Sequence, residues 1–134
     1  MRSIFGRLQE PAYLILRLVT GFTFMCHGLQ KVFGMLGGQV QPTLSLLWFG
    51  GIIELVSGGL IGIGLLTRLA AFVAAGEMAY AFIVIHMKLD AAHLHWIPIL
   101  NDGELAAVYA VLFLYVCGRG AGVVSLDRAL GLER

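Results

Sequence analysis

Charge is what this chain lacks most. Aspartate, glutamate, lysine and arginine make up 13% of its 134 residues, against about 25% in an ordinary soluble domain. That scarcity excludes both a disordered chain and an ordinary soluble domain. The formal net charge is +1, so no basic field gathers phosphate, and nucleic acid is excluded as a partner. The three prolines and 18 glycines show no collagen-like period. Cysteine occurs twice, as Cys26 and Cys117. There is no reactive cysteine pair, no haem-attachment motif and no dinucleotide-binding glycine motif, so no intrinsic cofactor is expected.

What is present is apolar. Hydrophobic residues make up 59% of the chain and mean hydropathy is +0.88. A helix that crosses the hydrocarbon core needs about 20 mostly apolar residues. Four segments approach that length, at about 11–33, 43–66, 68–87 and 104–118. The fourth is short and is expected to borrow from Ile97–Leu100 or from Arg119–Val124. The sequence therefore predicts an all-α integral membrane four-helix bundle in one domain, 1–134, with the lipid bilayer as its main partner. Residues 34–42 read as a turn, and Leu66-Thr67-Arg68 as a tight hairpin. The connection 88–103 is polar, with Trp96 suited to a membrane interface. In the tail, 119–134, Ser125 is positioned to cap a short helix.

Lysine and arginine counts set the orientation. Arg2, Arg7, Arg68, Arg119, Arg128 and Arg134 fall on one side, and Lys31 and Lys88 on the other. Both termini are thus expected in the cytoplasm. Arg17 interrupts the first apolar run, no small-residue cleavage site follows, and Met25 before Cys26 makes a poor lipobox. The first span is expected to stay in place. Cys26 and Cys117 fall near opposite ends of their spans, too far apart for a disulfide.

Three ionisable residues fall inside spans: Arg17, Glu54 and Glu77. Such residues are costly in hydrocarbon and usually face the bundle interior. Gly50, Glu54, Gly58 and Gly62 form one stripe at four-residue spacing. Gly58-x-x-x-Gly62 has the spacing of helix-dimer motifs, so self-association into a homo-oligomer is expected there. Ala70, Ala74, Glu77 and Ala81 make a similar face, and Arg17, Thr20, Phe24, His27 and Lys31 share a sector of the first span. The expectation is a buried network of Arg17, Glu54 and Glu77. It reads either as a register-locking ion pair or as a proton-linked polar site.

A second group gathers at the other rim: His27, Gln30, Lys31, His86, His93, His95 and Glu104. Histidine exchanges protons near neutral pH and ligates metals, so His93 and His95 are candidate metal ligands. His27 and Glu104 are candidates for proton handling. His27, Gln30, Lys31 and His86, beside Phe24, Phe33, Trp48 and Phe82, are candidates for holding a quinone head group.

The segment Arg17-Leu18-Val19-x-Gly21-x-x-Phe24-x-x-His27-Gly28-x-Gln30-Lys31-x-Phe33-Gly34 resembles the first span of the DoxX family. Glu54-Leu55-x-x-Gly58-Gly59-Leu60 and Gly64-Leu65-x-Thr67-Arg68-x-Ala70-Ala71 are similar to its second and third spans. Gly76-Glu77-Met78-Ala79-x-Ala81, His86, Asn101-x-Gly103-Glu104-Leu105-Ala106 and Ser125-Leu126-Asp127 continue the likeness. The His-rich connection departs from it. The resemblance implies a small four-helix protein of the bacterial inner membrane, related to the small subunit of a thiosulfate:quinone oxidoreductase. A quinone-linked redox component would follow, with a partner protein supplying the redox centre. The alternatives are a non-enzymatic anchor or assembly subunit for partner proteins, docking through its arginine-rich tail or through the outer connection, and a small transporter built on Arg17, Glu54 and Glu77.

Overall fold

The computed structural model describes residues 4–87 and 96–133. Among these residues every regular element is helical. A 3-10 turn, Ile4–Leu8, leads into α1, Gln9–Phe33. Helix α2 is Leu46–Ile63 and α3 is Thr67–Tyr80, which continues as a π-helical turn, Ala81–His86. A 3-10 turn, Pro98–Leu100, precedes α4, Glu104–Arg119. The tail carries α5, Leu126–Ala129, capped by Ser125 as the sequence predicts.

The helix ends follow from local chemistry. Gly34 closes α1 at φ 66° and Gly64 closes α2 at φ 73°, the left-handed geometry that glycine adopts without strain. The Ser45 hydroxyl accepts from the Trp48 N–H at 3.2 Å and starts α2. Helix α3 has no such residue of its own, since Leu66 precedes it at φ 48° without a side-chain cap.

Three helical stretches, Gly6–Phe33, Leu46–Ile63 and Thr67–His86, are long and apolar enough to cross a membrane. Helix α4 has 16 residues, about 24 Å of helix against a core of about 30 Å. The expected helical extensions are absent, because Asp102 at φ 58° and Gly120 at φ 85° turn the chain at its two ends. Phe22, Phe72, Val111 and Leu114 are exposed on the outside of the bundle, a surface suited to lipid.

Helices α1 and α2 cross backbone on backbone. A Cβ at Gly21 would lie 2.8 Å from Gly58 O and 2.6 Å from Gly62 N, and one at Gly28 would lie 2.6 Å from Gly51 O. Within the glycine stripe of α2, Gly58 is therefore covered by α1 of the same chain, Gly50 faces Glu77, and a Cβ at Gly62 would meet nothing within 4 Å. Helix α4 closes the bundle through aromatic rings, with Phe24 and Phe113 centred 4.7 Å apart and the Thr23 and Tyr109 hydroxyls 2.5 Å apart.

Candidate functional site

The tight α1–α2 crossing fixes which ions meet. Gly21 faces Gly58 and Gly62, and Gly28 faces Gly51 and Leu55. In that antiparallel register Lys31 lies opposite Glu54, and Arg17 lies opposite Gly64, about 15 Å further along α2. Lys31 Nζ donates to Glu54 Oε1 at 2.7 Å. The Glu54 side chain is 4% exposed and that of Lys31 is 30% exposed. His27, one turn earlier on α1, is close enough to act electrostatically on Glu54.

Glu77 joins this pair from α3. A Cβ at Gly50 would lie 2.8 Å from Glu77 Oε1, so the carboxyl occupies space that only glycine leaves open. Glu77 Oε2 is buried without a hydrogen-bond partner, as is Glu54 Oε2. The one ammonium at the groove thus bonds Glu54, while among the described residues no hydrogen bond or ion pair reaches Glu77.

A cavity of about 350 Å³ opens beside them between α2 and α3. Its walls are almost wholly apolar, with Phe49, Ile53, Phe72 and Gly76 prominent, while Lys31 and Glu77 supply its charge. Leu46, Phe49 and Phe72 on its walls are also exposed on the outer surface of the bundle. The groove therefore opens sideways, toward lipid.

Arg17 belongs elsewhere, which corrects the expected network of Arg17, Glu54 and Glu77. Although 2% exposed, its guanidinium donates to backbone carbonyls of the tail, Ala121 O and, at 2.6 Å, Val124 O. The tail is held by further bonds. Asp127 Oδ1 accepts from Leu66 N–H at 2.7 Å and Oδ2 from Thr67 N–H at 2.9 Å. Asp127 thus supplies, across sequence, the N-terminal cap that α3 lacks. Burial alone would raise its carboxyl, but the Thr67 and Leu66 N–H groups and the charge of Arg17 hold it below the ordinary aspartate value. Arg68 caps the end of α4 at Cys117 O and Gly118 O and pairs with Glu133. Arg119 pairs with Glu10 and lies 4.1 Å over the Tyr13 ring.

The other sequence candidates divide. Lys31 is at the groove. Gln30 donates to Leu36 O at 3.2 Å and braces the α1–α2 connection. His86 Nδ1 is 3.1 Å from Asn101 O, which ties the end of α3 to the segment before α4. Glu104 is exposed and lines a separate surface cavity with Asp102 and Val108. His93 and His95 lie outside the described residues, and among the described residues no three metal-ligating side chains cluster. Cys26 and Cys117 are both free thiols. Sequence reasoning missed the capping role of Asp127 and the pairing of Lys31 with Glu54. The facing glycines of α1 and α2 carry the signal for the second.

These features define a class: a small all-helical membrane protein with a partly buried lysine–carboxyl cluster at a lateral groove. A family model described as DoxX matches residues 12–87, which hold Lys31, Glu54 and Glu77. The chain is 40% identical over 123 residues to an uncharacterized protein of Haemophilus influenzae, an overlap covering 88% of this chain and 90% of the other. It is 27% identical over 123 residues to "Putative oxidoreductase CatD" of Bacillus subtilis, covering 88% and 86% respectively. No solved structure matches the chain. The chain belongs to the DoxX family.

Proposed function

We propose that this protein is the membrane component of a quinone-linked redox system, with the quinone head group held in the groove between α2 and α3. One observation carries the reading: an apolar groove, open toward lipid, has at its wall a carboxyl whose buried oxygen has no protein partner. An unpaired polar group in hydrocarbon costs several kcal/mol, and a polar head on an apolar tail relieves that cost. A bound quinone would supply two-electron, two-proton chemistry. Phe49 and Phe72 would flank its ring, Lys31 would orient its oxygen, and the Glu54–Glu77 pair would hold or release a proton beside it. The redox centre is assigned to a partner protein, because the chain carries no motif for one. The name of the Bacillus subtilis relative agrees with redox work. The bacterial inner membrane, with both termini in the cytoplasm, is the location that the arginine distribution and the family support.

The anchor reading has less support. Arg119 of the tail and Arg68 at the start of α3 are engaged within the bundle, while Arg128 of the tail is exposed.

Quinone carried through purification tests the proposal. It is expected in near-stoichiometric amount in lipid extracts of the pure protein. Gly76 lines the groove, and a Cβ there would meet nothing within 4 Å. Gly76→Phe should therefore fill the groove without disturbing the fold and lower the retained quinone at least tenfold. Equal quinone in both proteins would overturn the proposal.

A further inference from the structure

The end of the bundle that carries the tail takes no part in the groove, yet it is rich in charge. A cavity of about 380 Å³ opens there, lined by Arg68, Arg119 and Arg128 together with Glu10 and Glu133. Arg68 is the second residue of α3, Arg119 the last of α4 and Glu10 the second of α1. The ends of membrane-crossing helices lie at the level of the lipid headgroups. Each guanidinium carries five N–H donors. Arg68 spends most of its own on Glu133 and on the carbonyls of Cys117, Gly118 and Arg119. Arg119 bonds only the Tyr115 hydroxyl and Glu10. Arg128 is exposed, and among the described residues no hydrogen bond or ion pair ends on its side chain. Three cations thus line the cavity with two carboxylates, which leaves one positive charge and several donors over.

A second cavity, of about 360 Å³, shares Glu10, Gly122 and Val123 with the first. Its walls are mostly apolar, with Pro11, Leu14 and Val124 prominent, and Tyr13 and Arg17 on its wall already donate to carbonyls of the tail. Leu130 and Leu132 are exposed on the same tail. Spare positive charge beside an apolar trough fits an amphiphilic anion better than a free one. We propose that the paired cavities hold one anionic phospholipid. Its phosphate diester accepts from Arg128 and Arg119, in the charge-assisted contacts that guanidinium makes with phosphate. An acyl chain lies along Leu14, Val123 and Val124. The site shares no lining residue with the groove between α2 and α3 and does not depend on the quinone reading. A lipid held there fastens the tail against the helix ends.

Mass spectrometry of the intact full-length protein, released from detergent micelles, tests this. The probes are dioleoyl phosphatidylglycerol and dioleoyl phosphatidylcholine in equal amounts. They share acyl chains and a phosphate diester, but only the first carries net negative charge. One phosphatidylglycerol per chain is expected, favoured about fivefold or more, the scale of one basic residue beside an anionic headgroup. Arg128→Gln removes a side chain that makes no bond within the fold, and should bring the two lipids to within about twofold of each other. Glu10→Gln has the opposite sign: it frees Arg119 and removes a negative charge from the wall, so retention of phosphatidylglycerol should rise. Excess inorganic phosphate, compared with chloride at equal ionic strength, is expected to leave the lipid in place. Equal retention of the two lipids by wild-type protein, or a preference that survives Arg128→Gln, would overturn the proposal. Displacement by inorganic phosphate would overturn it as well, since the cavity would then read a free anion and not a lipid.

Discussion

At the scale of single residues, the arrangement depends on one lysine compensating one buried carboxylate. Removing one partner of a buried pair leaves the other charge without compensation, whereas replacing both with apolar residues is close to neutral. Lys31→Met should therefore destabilise the protein by about 3 kcal/mol, the low end of the range for buried pairs because Lys31 is partly exposed. The double substitution Lys31→Met with Glu54→Leu should recover most of that loss. Unfolding titrations in mixed detergent micelles measure both, and the double mutant tells charge compensation from simple packing. The sequence showed that Glu54 and Glu77 lie on inward-facing stripes. It did not show which cation they meet, because stripes specify a face and not the register between helices. Arg17 was the apparent partner by span membership alone, and the glycine-on-glycine contact of α1 with α2 gives that place to Lys31.

At the scale of elements, glycine contacts and the tail set the geometry. A Cβ at Gly58 would lie 2.7 Å from Gly21 O, against backbone that cannot yield as a side chain can. Gly58→Ala should cost about 1–3 kcal/mol by forcing α1 and α2 apart, and it should loosen the Lys31–Glu54 contact. The same unfolding titration, with groove binding as a second readout, checks this. The tail acts through Asp127. Its carboxyl is held below the ordinary aspartate value in the folded protein. Its contribution is therefore fully present above the unfolded value of about 3.9, and is lost as pH falls through the lower folded value. Wild-type protein should lose stability on acidification in that range. Asp127→Asn should be less stable at neutral pH, by about 1–3 kcal/mol for the weakened cap, and should show a flatter acid limb. Span positions were legible from hydropathy and helix ends from glycine and serine. The link from Asp127 to α3 was not, because a cap supplied from about sixty residues away leaves no local pattern.

At the scale of the whole molecule, the described helices form two closely packed antiparallel pairs, α1 with α2 and α3 with α4, joined through the α2–α3 hairpin. The face between α2 and α3 is the one that carries the lateral groove. Arginines cluster at the end that holds the tail, where Arg17, Arg68 and Arg119 bind carbonyls and glutamates. A reporter fused after Arg134 is expected in the cytoplasm, and a periplasmic signal would reverse the orientation proposed here. The central claim is that a quinone head group sits against Glu77 between α2 and α3. Photolabelling with an azido-quinone, followed by peptide mapping, tests it most directly. The account expects label on peptides containing Phe49 and Phe72, competed away by excess unlabelled quinone and lost in Gly76→Phe. Label confined to α4 or to the segment before it, or label that competitor fails to displace, would contradict it.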